Sequence, residues 1–185
     1  MLSHTVPQSS LRHRSAGLRD VGAKEARGRR FGSEALAVFL STYVNKIDRK
    51  GRISVPAAFR AALTPTSAKS IVVYRAVKLT AIEASGLDRA EDLSRRIDRL
   101  PELSDERDAL SAILGELRPL DFDGEGRIVL PNELARHANL TTTAVFVGCG
   151  PTFQIWEPER FRQHHEEMRA RIRERGLTLP PGEPQ

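Results

Sequence analysis

Lys46, Arg49, Lys50 and Arg52 lie within seven residues and face a single acid, Asp48. Basic side chains concentrated at a tight turn can reach phosphate oxygens. An arginine fork can also bond guanine bidentately in the major groove. The competing reading is a turn that is merely solvated. A related segment occurs further on. Residues 48–56 read D-R-K-G-R-I-S-V-P and residues 123–131 read D-G-E-G-R-I-V-L-P. Asp48, Gly51, Arg52, Ile53 and Pro56 recur as Asp123, Gly126, Arg127, Ile128 and Pro131 with no gap. The charge does not recur. Lys46 to Arg52 carries +3, whereas Asp121, Asp123, Glu125 and Arg127 sum to −2. Any anion should therefore meet the first copy, and the second should mainly serve assembly. Asp, Gly and Arg recur together although the local charge reverses. That favours a structural part for the trio, with Arg52 paired to Asp48 and Arg127 to Asp123, within or between hairpins. Arg52 would serve both roles.

Catalysis needs a cluster, and none is visible. No histidine or third carboxylate stands at ligand spacing beside Asp48. His137 is isolated, and His164 and His165 are adjacent, so they point to different sides of a helix. There is no glycine-rich phosphate loop and no nucleophile motif. The expectation is a non-enzyme without metal, cofactor or small-molecule substrate.

The elements that must position the turns follow from pattern. Thr42 to Ile47 is rich in strand formers. Asp48-x-x-Gly51 is turn chemistry: aspartate bonds the backbone two residues on, and glycine takes a positive φ. Arg52 to Val55 is a second strand, Pro56 ends it, and Ala57 to Leu63 is helical. The second copy repeats the plan: an extended run before Asp123, a strand over Arg127 to Leu130, and a helix opened by Pro131 through about Ala138. Strand-like runs follow each copy, Ser70–Tyr74 and Ala144–Val147. Leu87, Ala90, Leu93, Ile97 and Leu100 predict a helix over Asp88–Leu100. Ser104 or Asp105 should cap another, with Ala109, Leu110, Ile113, Leu114 and Leu117 as its stripe. Thr152–Trp156 should be a strand and Arg160–Arg175 a helix; residues 177–185 should fray. Trp156 is expected in the core rather than as a ligand platform. A repeat of about 50 residues buries too little surface alone. The copies should pack on each other or on a partner chain, which would set the two turns side by side.

The expected organisation is a disordered basic tail (1–37), a first repeat (38–86), a helical connector (87–117), a second repeat (118–158), and a C-terminal helix with a frayed end (159–185). The net charge is +5 over 185 residues. Residues 1–37 hold seven basic side chains against three acidic, while the remainder has 22 against 21. The basic balance is thus mostly a property of the tail. The tail would be disordered, a DNA-clamping arm, or a translated leader ahead of a natural start at Val38. There is no apolar run of membrane-spanning length and no secretory signal core. The lone cysteine, Cys149, fits a reducing compartment and reads as a small apolar residue in or beside a strand.

Phe39 to Pro56, F-L-S-T-Y-V-N-K-I-D-R-K-G-R-I-S-V-P, resembles the opening of the MraZ family of bacterial transcriptional regulators, which carry two AbrB-like units. Leu120 to Pro131 and Val145 to Pro158, V-F-V-G-C-G-P-T-F-Q-I-W-E-P, resemble its second half. The resemblance covers about residues 39–175. It implies an α+β fold of tandem AbrB-like swapped-hairpin β-barrel units with short helices, assembled into a ring-like homo-oligomer. It implies a cytoplasmic, nucleoid-associated regulator that binds double-stranded DNA. The sites would be short direct repeats upstream of its own gene, in the division and cell-wall gene cluster. The family's DNA-contacting turn maps onto Asp48, Arg49, Lys50, Gly51 and Arg52, with Arg52 the key position, and onto Asp123 to Arg127. Glu125 stands where the first copy has Lys50, which argues against phosphate contact there. The alternatives are an AbrB-like antitoxin and a structural oligomer that binds division proteins.

Overall fold

The computed structural model describes residues 37–180. The expectations for the basic tail and for translation starting at Val38 fall almost wholly outside them, as do residues 181–185. Among the described residues the chain is α+β. The first repeat gives β1 (Thr42–Lys46), β2 (Arg52–Ser54), α1 (Ala57–Ala62), β3 (Ser70–Arg75) and β4 (Ile82–Ser85). Two helices follow, α2 (Leu87–Asp98) and α3 (Asp105–Glu116). Then come β5 (Arg118–Asp121), β6 (Arg127–Val129), α4 (Asn132–His137), β7 (Thr143–Gly148), β8 (Phe153–Trp156) and α5 (Pro158–Arg175).

The strands do not stay within their own repeat. β1 pairs with β7, Tyr43 facing Phe146. β5 pairs with β3, Leu120 facing Ile71. The resulting antiparallel sheet has the order β1-β7-β8-β4-β3-β5, and β2 with β6 forms a separate two-stranded ribbon. Each repeat thus contributes its first strand to the other's half of the sheet.

The expected closed barrel is not formed. β1 and β5 lie at opposite edges of an open sheet. The ribbon strands that would bridge them are three residues long. Pro56 and Pro131 follow within two residues of each, and proline has no N–H to extend a ladder. β1 meets β2 at a single bridge, Ile47 with Ile53.

One core spans both copies. Phe39, Ile53, Phe59, Ile71, Ile82, Ile128, Phe146, Phe153 and Ile155 are buried together. Phe59 of α1 packs edge-on to Phe39 at 5.4 Å and Tyr43 at 5.3 Å, and lies 5.0 Å from Phe153. Such a side chain contributes about 1.5–3 kcal/mol by burial. On the other side of the sheet, Trp156 packs with Val145, Ala76 and Ala81, and His164 of α5 stacks on its ring at 4.9 Å. Glu157 caps α5 by accepting the N–H of Arg160 at 2.8 Å, and Gly176 ends it in the left-handed region.

The helical connector differs from its predicted stripe. α2 buries Ile97, but α3 buries no side chain fully; Leu110, Ile113, Leu114 and Leu117 are half-buried and Ala109 is exposed. A fork from Arg75 to Glu116, at 2.6 and 3.0 Å, ties the end of α3 to β3. Cys149 is exposed, just beyond β7.

Candidate nucleic-acid interface

Both turns are built by one aspartate. Asp48 Oδ1 accepts the backbone N–H of Lys50 at 2.8 Å and of Arg52 at 2.9 Å. Its Oδ2 accepts Arg52 Nε–H at 2.7 Å. Gly51 completes the turn at φ +73°, a left-handed conformation costly to any residue with a Cβ. The second turn repeats this arrangement. Asp123 Oδ1 accepts Glu125 N–H at 3.0 Å and Arg127 N–H at 2.9 Å, and Oδ2 accepts Arg127 Nε–H at 2.8 Å. Gly126 also has φ +73°. The backbone N–H of Arg52 above all, with its guanidinium, holds the Asp48 carboxyl below the usual carboxylate range; Arg127 does the same for Asp123. Each arginine therefore pairs with the aspartate of its own hairpin.

The ribbon places the turns. Arg52 faces Val129, Ile53 faces Ile128, and Ser54 faces Arg127. Leu130 N–H reaches Gly51 O at 2.9 Å and Val55 N–H reaches Gly126 O at 3.1 Å, so each turn is fastened to the strand of the other repeat. Side chains alternate across a strand. Ile53 and Ile128 enter the core at 0% and 1% exposure. Arg52, Ser54, Arg127 and Val129 therefore share the outward face, with one turn at each end.

The two arginines are not equally available. Arg127 Nη1 is held by Glu125 Oε2 at 2.8 Å. Asp123 above all, with Glu125 and Asp48, raises the Arg127 pKa further above its ordinary value. Arg52 bonds Asp48 through Nε alone, and no carboxylate reaches its terminal nitrogens among the described residues. Arg49 and Lys50 are exposed on the first turn, and Lys46 is exposed at the end of β1. The side chain of Asn45 ties β1 to β2 through Ser54 O at 2.6 Å.

Arg60 is a member that the sequence did not disclose. It belongs to α1 of the first repeat, yet it packs on the second turn; a Cβ on Gly126 would collide with its guanidinium. Arg60 Nε donates to Val55 O at 3.2 Å. With Lys69, Asp121, Phe122 and Gly124 it lines a cleft of about 760 Å³. Shifting by the repeat offset puts Ala135 at the matching place beside the first turn. The second turn, which carries Glu125, thus has a cation brought to it from outside. Among the described residues no three His, Cys, Asp or Glu side chains gather where they could hold a metal ion. No helix among them is long and apolar enough to cross a membrane.

The fold and site define a duplicated α+β chain whose two arginine turns flank one two-stranded ribbon. Residues 113–177 match the family model described as "MraZ protein, putative antitoxin-like". The chain is 41% identical over 143 residues to the transcriptional regulator MraZ of Rickettsia akari, covering 77% of this chain and 96% of that protein. It is 42% identical over 143 residues to the one from Rickettsia rickettsii, with the same coverage. To that of Rickettsia bellii it is 41% identical over 144 residues, again 77% and 96%. The chain belongs to the MraZ family.

Proposed function

We propose that this protein is a sequence-specific DNA-binding transcriptional regulator. The observation that carries the reading is the free terminal fork of Arg52, held at Nε by Asp48 and flanked by exposed Arg49 and Lys50. The similar proteins named transcriptional regulators support it. In this reading Lys46, Arg49 and Lys50 contact phosphates and Arg52 reads a base edge. Arg127 contributes less, because Glu125 occupies part of its fork. Arg60 offsets the acidity of the second turn. Asp48, Gly51, Asp123 and Gly126 act by shaping the turns.

A single basic turn binds weakly. We propose further that copies assemble into a ring, as swapped-hairpin units with strands exchanged between repeats. The ring sets several turns along spaced direct repeats and gains affinity by effective concentration. The edge position of β1 among the described strands supports self-association: Val38, Leu40 and Val44 are 57%, 65% and 64% exposed beside it. The DNA would lie upstream of the protein's own gene, at the head of a division and cell-wall cluster, with repression as the outcome. The protein would work in the cytoplasm, on the nucleoid.

The test is a gel-shift titration against that upstream DNA, with unrelated duplex as competitor. A complex that survives competition supports the reading; one erased equally by unrelated duplex overturns it. The family description's "antitoxin-like" favours a second reading, in which a small protein partner is bound. Such a partner co-purifying in stoichiometric amount from native expression would support that reading instead.

A further inference from the structure

The four outward positions of the ribbon are two arginines and two unlike residues. Arg52 lies across from Val129 and Arg127 across from Ser54. Ser54 and Val129 occupy matching places in the two repeats. The local symmetry is therefore broken on this face by one hydroxyl against one isopropyl group. Val129 is 57% exposed, and Ser54 is exposed, its hydroxyl making no hydrogen bond among the described residues. A lone exposed valine means little by itself. This one sits on a face whose reverse is wholly buried, between the arginines of both turns.

Two strands lie about 4.8 Å apart. A two-stranded ribbon with its side chains fits a major groove about 12 Å wide. Within that groove arginine suits guanine, serine suits a base-edge donor or acceptor, and an apolar side chain suits the thymine C5 methyl group. An arginine pair alone would read the same sequence from either direction. A serine in one half and a valine in the other would not.

We propose that the ribbon face itself reads DNA, with Val129 against a thymine methyl and Ser54 on a base edge, and that this pair gives each site its direction. The inference rests on the DNA-binding reading above. A nearly symmetric reader would thereby take oriented direct repeats rather than palindromes as its target.

The experiment is selection from a pool of random-sequence duplexes by full-length protein, wild type and Val129→Ser in parallel. The wild type should enrich a non-palindromic motif with thymine at one fixed position. Uracil there, which lacks only the methyl, should weaken binding about fourfold, the worth of one buried methyl group. Val129→Ser should bind both forms equally and enrich a more symmetric motif. Ser54→Val supplies an independent arm should the first variant fold poorly; it should enrich thymine in both halves. A motif that forms without dependence on residues 54 and 129 overturns this inference and leaves the regulator reading standing. No enrichment by the wild type overturns both.

Discussion

Glu125 Oε2 lies 2.8 Å from Arg127 Nη1, and the matching position of the first turn, Lys50, offers Arg52 no such contact. One change of sign at one turn position thus decides which of two otherwise matching arginines keeps its fork free. Glu125→Lys should release Arg127 and make the second turn basic. DNA affinity should rise, and the slope of log affinity against log salt should steepen by about one for each new phosphate contact. Fluorescence anisotropy across a salt series measures this; an unchanged slope would leave the second turn out of the contact.

The two turn glycines should respond unequally. Both have φ +73°, so alanine at either is strained by about 1–2 kcal/mol. At Gly51 the nearest atom to an added Cβ is Leu130 O at 3.7 Å, which is ordinary contact. At Gly126 the added atom meets the Arg60 guanidinium. The guanidinium is the far end of a flexible side chain and can swing aside, so Gly126→Ala should lower the denaturation midpoint only slightly more than Gly51→Ala, through loss of the Arg60–Val55 bond. In an Arg60→Ala background the two glycine substitutions should cost the same.

The carboxyls of Asp48 and Asp123 are held below the usual carboxylate range by backbone N–H donors and by their arginines. A group whose folded pKa is depressed contributes stability that is present above its unfolded pKa. That contribution is lost as pH falls through the folded value. The turns should be indifferent to pH between 7 and about 5, because both states are ionised there. Loosening should begin only below about pH 4. NMR titration of the two carboxyl carbons checks the direction; a midpoint above that of a free aspartate would contradict it.

The exposed edge gives a prediction about assembly. Val44→Lys places a charge on an outward position of β1 that is 64% exposed, so the protomer should fold normally. If copies join through this edge, mass photometry should show smaller species and DNA affinity should fall with the lost valency. An unaltered assembly would place the contact elsewhere.

The turns were legible because their chemistry is local: Asp48 bonds residues two and four positions on, and Gly51 follows at a fixed offset. The helices were legible within two residues at each end: proline, serine or glutamate marks the starts of α1, α3, α4 and α5, and α2, which follows Gly86, shows in its apolar stripe. Strand partners were not legible. Nothing in the alternation of Tyr43, Asn45 and Ile47 says that they face β7 of the other repeat. β5 is the extended run that the repeat plan places before Asp123, although Pro119 argues against a strand; it survives at an edge, where its missing N–H costs no ladder bond. Ile82–Ser85 is too short and mixed to stand out. Arg60 read as an ordinary helix residue, and only the β2–β6 pairing carries it to the turn of the other copy. The one available signal was the repeat offset itself, which sets Arg60 against Ala135 as Lys50 is set against Glu125.

The most direct test of the account is operator binding by Arg52→Ala and Arg127→Ala beside the wild type, on the DNA upstream of the protein's own gene. The oligomer should be checked in each sample. Arg52→Ala should lose the specific complex, about fivefold to a hundredfold in affinity for a lost base contact, with assembly intact and little change in melting temperature. Arg127→Ala should weaken it less. Equal losses from the two substitutions, or a complex that Arg52→Ala retains in full, would contradict the division of labour between the turns.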